Sequence, residues 1–186
     1  NNKQIIHLNS VGVIGKTYSS YILNVNESTA CTPQNEYERT KHISEKLLLE
    51  FNKNRTAQLT ILRPTNVYGE HHPFNALLRM MLHIQAGKSV VYQKNAVVNY
   101  VYVKDLTSLI CTLIESKLGQ GIVNVGAAER IDTFFLKIAE QLNVNLKSLI
   151  IPSIMIKFAR FLGVKKINSI SNKVMYNDKK LNHFYH

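Results

Sequence analysis

Acidic side chains are scarce in this 186-residue sequence: 12 Asp and Glu stand against 23 Lys and Arg, for a formal charge of +11. The two cysteines, Cys31 and Cys111, are too few and too far apart for a disulfide framework or a zinc cluster, and a reducing cytoplasm is the expected compartment. Four prolines and eight glycines leave no low-complexity linker, and there is no internal repeat. No apolar run approaches the ~18 residues of a membrane-spanning helix. The first residues also lack the basic, apolar and small-residue regions of a signal peptide. Position 1 is Asn rather than Met, so the chain is expected to be part of a longer one.

What is present describes a globular protein. Hydrophobic residues make up 45% and charged residues 19%, enough for one compact domain, or a domain with a small appendage, around a real core. The charge excess could serve nucleic acid, anionic lipid or an anionic small substrate. From Ile151 onward, seven Lys and Arg face Asp178 alone, so much of the excess lies in the tail. No aromatic-interleaved basic ribbon or nucleic-acid motif accompanies it. Nucleic acid is therefore set aside, and a solvated basic surface is the default.

Strand and helix patterns alternate. Lys3–Asn9 and Ala57–Leu62 read as short buried strands, Val97–Val103 as an alternating one, and Ile122–Val125 as another. Between them, Asn35 and Glu38 form a capping-box pair opening a helix to about Asn54, with Ile43, Leu47, Leu48 and Phe51 at helical spacing. Further helices are predicted over Asn75–Ala86 (stopped by Gly87), Lys104–Ser116, Ile131–Leu142 (capped by Asp132) and Pro152–Leu162 (stopped by Gly163). Ser10–Asn35 is expected to be irregular. The alternation predicts an α/β fold with a largely parallel sheet.

Tyr37 and Lys41 stand four residues apart at the start of the first helix, on one face and within one turn. A phenol with its ordinary pKa near ~10 is a poor base at neutral pH. A cation beside it favours the phenolate, and such a phenol can exchange a proton with a sugar or alcohol oxygen. The pair alone is more often a solvated helix face. Ser10, by itself, is a strand-end hydroxyl, and Arg63–Pro64 a strand ending before a turn.

Taken in order, however, Ser10-Val-Gly-Val-Ile-Gly15, Tyr37–Lys41, Arg63-Pro-Thr-Asn-Val-Tyr-Gly69 and Val101-Tyr-Val-Lys-Asp-Leu106 resemble the motifs of the extended short-chain dehydrogenase/reductase family, the NAD-dependent nucleotide-sugar epimerases and dehydratases. The resemblance implies an incomplete Rossmann-type parallel sheet with helices, plus a small C-terminal substrate-binding lobe. Residues 1–66 and 97–116 would belong to the cofactor domain, and 67–96 and 117–186 to the lobe. It further implies that Tyr37 is the acid/base, that Ser10 bonds the same substrate oxygen, and that Lys41 supports the phenolate and holds the nicotinamide ribose. Tyr37, Lys41 and Pro64 would contact NAD or NADP, and Ser10 and Asn66 the substrate. The implied reaction is hydride transfer on a nucleotide-activated sugar, by an epimerase or a 4-ketoreductase. A homodimer through the Tyr37 helix, using Leu47, Leu48 and Phe51, is a further implication.

Three departures qualify it. The family's Gly-rich βαβ fingerprint is absent, so the 186 residues are expected to be a C-terminal part that is inactive alone. Val98 stands where epimerases usually carry a diphosphate-clamping arginine. Ser10-Val11-Gly12 offers no carboxylate where dehydratases have one, which disfavours water elimination. A truncated or degenerate module of the same shape, without cofactor, is the alternative reading.

Three other features carry less. Gly15-Lys16-Thr17 ends like a P-loop, but the first glycine of that motif falls on Ser10. His71 and His72 beside Glu70 lack further ligands at diagnostic spacing, so no metal is expected. Ile154–Lys166 is amphipathic with a basic flank and would suit an interfacial helix reaching a lipid-linked sugar; packing of Met155, Phe158 and Leu162 on the core is the preferred reading.

Overall fold

In the computed structural model, residues 3–15, 21–54, 57–70, 76–117, 119–164, 167–176 and 180 are described. Gln58–Pro64 (β3) is the central strand of a three-stranded parallel sheet, flanked by Gln4–Leu8 (β1) and Gly121–Val125 (β7). Its six residues from Leu59 to Pro64 are all buried. Burial of successive residues is what a strand covered on both faces shows, and here it takes in the polar Thr60 and the charged Arg63. On one face Val103–Ser116 (α3) buries Leu106, Leu109 and Leu113 against Leu62, Val123 and Val125.

The capping pair starts Glu36–Asn52 (α1) as expected. Asn35 Oδ1 accepts from Glu38 N at 2.9 Å, while Glu38 Oε2 accepts from Gln34 N at 2.7 Å, one residue before the cap's own amide. Which face of α1 turns inward was not expected. Its fully buried residues are Glu38 and Glu45, whereas Ile43, Leu47 and Phe51 are 56%, 65% and 47% exposed and Leu48 is half-buried.

The cause is an ion pair. Arg63 on β3 is buried, and both its Nη2 and Nε reach the Glu45 carboxylate, at 2.5 and 2.9 Å. Asn9, just past β1, donates to the same carboxylate at 2.6 Å. Arg63 also donates to Cys31 Sγ at 3.4 Å and to the Glu27 carbonyl at 3.5 Å. One guanidinium thus ties β3, α1, the end of β1 and the 27–31 loop together.

The stretch between β1 and α1 is less irregular than expected. Val11–Ile14 forms a 3-10 turn, and Leu23–Val25 (β2) pairs in parallel with Val174–Tyr176 (β10). Gly15 has φ +78°, and a Cβ there would lie 2.1 Å from the Thr32 carbonyl oxygen. The glycine therefore serves a close backbone crossing; Lys16 and Thr17 of the P-loop-like run lie outside the described residues.

A second sheet holds Asn66–Tyr68 (β4), Val97–Tyr102 (β6) and Ala127–Arg130 (β8), with β6 parallel to β4 and antiparallel to β8. Ala76–Gln85 (α2) and Ile131–Gln141 (α4) pack beside it, with Ile84, Ile131, Phe135 and Ala139 buried. Arg130, not Asp132, occupies the N-cap of α4; Asp132 sits in the first turn and bonds Arg130. Val90–Gln93 (β5) pairs in parallel with Ser148–Ile151 (β9), followed by Ser153–Phe161 (α5) and Ile167–Ile170 (α6).

β7 completes the first sheet because its Val123 and Val125 share the α3 core, while β6 belongs to the second sheet. Asn99 joins β6 to β10 by donating to the Val174 carbonyl at 2.9 Å and accepting from Tyr176 N at 3.2 Å. No helix among the described residues is long and apolar enough to cross a membrane.

Removing one partner of the ion pair strands the other charge in the core. Glu45→Gln is expected to destabilise the protein by about 3–5 kcal/mol in urea unfolding, and Glu45→Met with Arg63→Met to recover much of that loss. Wild-type stability in Glu45→Gln would show that the pair does not hold these elements together.

Candidate functional site

Parallel α/β sheets present their sites at the carboxyl ends of the strands. Here β1 ends at Leu8, β3 at Pro64 and β7 at Val125. Ser10 follows β1 by two residues and caps the 3-10 turn, its Oγ accepting from Gly12 N at 3.0 Å. A hydroxyl that accepts in this way keeps its own proton to donate.

Lys41 reaches the same strand end. Its Nζ donates to the Leu8 carbonyl at 3.2 Å, two residues before Ser10. Its charge is felt at His7, whose imidazole is held below its ordinary value first by burial and then by Lys41. Tyr37 lies one helical turn before Lys41 and is 60% exposed. The structure thus brings the ammonium to the β1 end that carries Ser10, with the phenol on the helix that delivers it.

Pro64 is buried at the end of β3, opposite Val125 in the register, and Thr65 N continues to the Val125 carbonyl at 2.9 Å. Asn66 is exposed at the start of β4, with its Nδ2 on the Asn99 carbonyl at 2.8 Å. Its side-chain oxygen remains the group available to a ligand.

A cleft of about 360 Å³ opens between α2, the second sheet and the end of β7, and Val125 and Gly126 help to line it. Aromatic rings dominate its wall. Tyr68 meets Tyr100 edge-on at 6.0 Å and Tyr102 at 5.3 Å, and Tyr100 stacks on Phe134 at 5.4 Å. Burial pushes the Tyr100 phenol up, and burial followed by the charge of Asp105 raises that of Tyr68. Val98 lines this cleft together with Asp105 and Glu129, and the cations next to these lining residues are Lys137, paired with Glu129 at 2.5 Å, and Lys104, 5.9 Å from the Tyr102 ring centre.

Sequence reasoning used Tyr68, Tyr100 and Tyr102 only as motif letters and missed the cleft. The alternation of Tyr100 and Tyr102 in β6 was the available signal, since it puts both rings on one face.

Cys31, His42 and Glu45 bring ligand-type atoms within 4.8 Å of one another. Arg63 already occupies that carboxylate and bonds the thiol, so a dication would share its ligands with a guanidinium. The cluster is an ion-pair cage. Of the loop expected to be metal-free, Glu70 approaches Lys104 at 3.5 Å, and His71 and His72 lie outside the described residues.

The donor set fits one end of a nicotinamide dinucleotide. An ammonium at a sheet's carboxyl end, on a helix that also carries a phenol one turn earlier, suits the ribose hydroxyls, whereas the sequence holds no Gly-x-Gly-x-x-Gly for the diphosphate.

The family model of the NAD dependent epimerase/dehydratase family matches residues 1–126. Among solved structures, UDP-N-acetylglucosamine 4-epimerase of Methanobrevibacter ruminantium M1, in complex with UDP-N-acetylmuramic acid, is similar at TM-score 0.69 and 21% identity, over 99% of this chain and 57% of that one. UDP-glucuronic acid 4-epimerase of Bacillus cereus, in complex with NAD, gives 0.68 and 17%, over 97% and 54%. UDP-glucose 4-epimerase of Thermus thermophilus, also with NAD, gives 0.67 and 18%, over 99% and 58%. The chain therefore spans somewhat more than half the length of these proteins. No curated protein sequence matches it. By its motifs, its Rossmann-type sheet and the match over residues 1–126, the chain belongs to the NAD-dependent epimerase/dehydratase family.

Proposed function

We propose that the protein is an NAD(P)-dependent epimerase or 4-ketoreductase acting on a nucleotide-activated sugar. The observation that supports this reading is the hydrogen bond from Lys41 Nζ to the Leu8 carbonyl, two residues before Ser10, with Tyr37 one turn earlier on the same helix. The family and the nucleotide-sugar epimerases of the same fold support it.

The cofactor supplies or accepts the hydride. The chain's own residues handle the proton. As a sugar carbinol becomes a ketone, Tyr37 Oη takes the hydroxyl proton, and it returns that proton when the ketone is reduced. Ser10 donates to the same sugar oxygen and stabilises the charge that develops on it. Lys41 offsets the phenolate charge and holds the ribose hydroxyls through its remaining ammonium protons. Pro64, fixed at the end of β3, supplies an apolar wall beside the nicotinamide. Asn66 and the aromatic cleft of Tyr68, Tyr100 and Phe134 bind the substrate, whose rings and sugar faces suit stacking surfaces.

Tyr37→Phe removes the proton-carrying atom from an exposed side chain. In the full-length protein, turnover, followed as cofactor absorbance with candidate nucleotide sugars, is expected to fall by about 10²–10⁴ while the melting temperature holds. Undiminished turnover would remove Tyr37 from the mechanism.

The same reading includes a homodimer through α1. Ile43, Leu47 and Phe51 fall at intervals of four and form one exposed apolar stripe. Sedimentation of the wild type as a dimer, and of Leu47→Asp as a monomer, is expected; a wild-type monomer would refute it.

A further inference from the structure

Helix α5 (Ser153–Phe161) is built inside out. Its buried residue is Ile156, and two of its polar side chains bond the body of the protein: Ser153 Oγ accepts from Gln93 Nε2 at 2.9 Å, and Arg160 Nη2 donates to Ser171 Oγ at 2.7 Å. Ile154, Phe158 and Phe161, at the i, i+4, i+7 spacing of one face, point the other way and are 72%, 63% and 86% exposed. Met155 and Leu162 flank them, also exposed, and Leu149 and Ile150 of the preceding β9 extend the apolar surface. The core-packing reading of Met155, Phe158 and Leu162 therefore does not hold. An ordinary surface helix does the reverse, and an apolar patch of this kind marks a contact surface.

Charge identifies what it contacts. After Glu140 the sequence carries eight Lys and Arg against a single acid, Asp178; of these Lys173 is buried and Arg160 is turned inward onto Ser171. Lys147, at the start of the β9 segment, and Lys157, beside the apolar face of α5, are both exposed. Two copies meeting through this face would bring like charges together, which opposes self-association. Aromatic and aliphatic side chains with basic neighbours match the boundary of a bilayer whose headgroups are anionic.

We infer that α5 and the adjoining β9 edge dock the protein on an anionic membrane surface, with Phe158 and Phe161 entering the headgroup–acyl boundary and Lys157 beside the headgroups. The helix lies along the surface and does not cross it. This inference rests on the far lobe alone and stands whether or not the hydride-transfer reading holds.

The test is flotation of the protein with vesicles of phosphatidylcholine, with and without phosphatidylglycerol. Flotation with the anionic vesicles, weakened by salt, is expected. Phe158→Ser with Phe161→Ser should weaken it by about tenfold or more, and Lys157→Gln by about fivefold on anionic vesicles only. Because the sequence has no Trp, Phe161→Trp adds a reporter whose emission should shift to the blue with anionic vesicles. Absence of flotation, flotation unchanged by the Phe substitutions, or an indole spectrum unmoved by lipid would overturn the inference. So would a double Ser variant that changes only the oligomeric mass or the binding of a protein partner.

Discussion

The Arg63–Glu45 ion pair is the constraint on which the arrangement of this protein depends. It is buried, with both carboxylate oxygens used: Oε1 by Arg63, and Oε2 by Arg63 and Asn9. Buried charges of this kind are costly to desolvate and tolerable only when geometry and hydrogen bonds are nearly complete. That requirement makes the pair a register device. It allows one rotation of α1 about its axis, the one that turns Glu45 inward, and that rotation fixes where Lys41, one turn earlier, can reach.

The chemistry follows from that placement. Lys41 caps the last carbonyl of β1, and Asn9 both continues the ladder to Leu62 and holds the carboxylate. Ser10 is thus the first residue past β1 whose side chain is not committed to the ion-pair cage. A strand end, a 3-10 turn and a helix face converge there for reasons of backbone hydrogen bonding and charge burial. The proposed proton transfer through Tyr37 would take place beside this convergence. Substrate recognition is a separate matter, and its candidate surface, the tyrosine-lined cleft, belongs to the second sheet.

Much of this was legible in the residues. The capping pair Asn35–Glu38, the strand that became β3, and the glycine stops at Gly87 and Gly163 rest on local rules, and local rules need no tertiary knowledge. Periodicity also placed Ile43, Leu47 and Phe51 correctly on one side of α1. It could not say which side faces inward, because the deciding partner, Arg63, lies 18 residues from Glu45 along the chain. The same blindness misjudged α5, where the apolar face is the outer one. The short strands β2, β4, β5, β8, β9 and β10 went unseen because three or four residues in a small sheet carry too few alternations to rise above a loop. The cleft was hidden for another reason: its wall joins Tyr68, Tyr100 and Phe134 from three separate elements.

The most direct measurement is a crystal structure of the full-length protein with bound NAD and a nucleotide sugar. The account predicts Ser10 Oγ and Tyr37 Oη within hydrogen-bond distance of one sugar oxygen, Lys41 Nζ on the ribose, and Glu45 still clasped by Arg63. A sugar held elsewhere, with the Tyr37 ring turned away from Ser10, would contradict it.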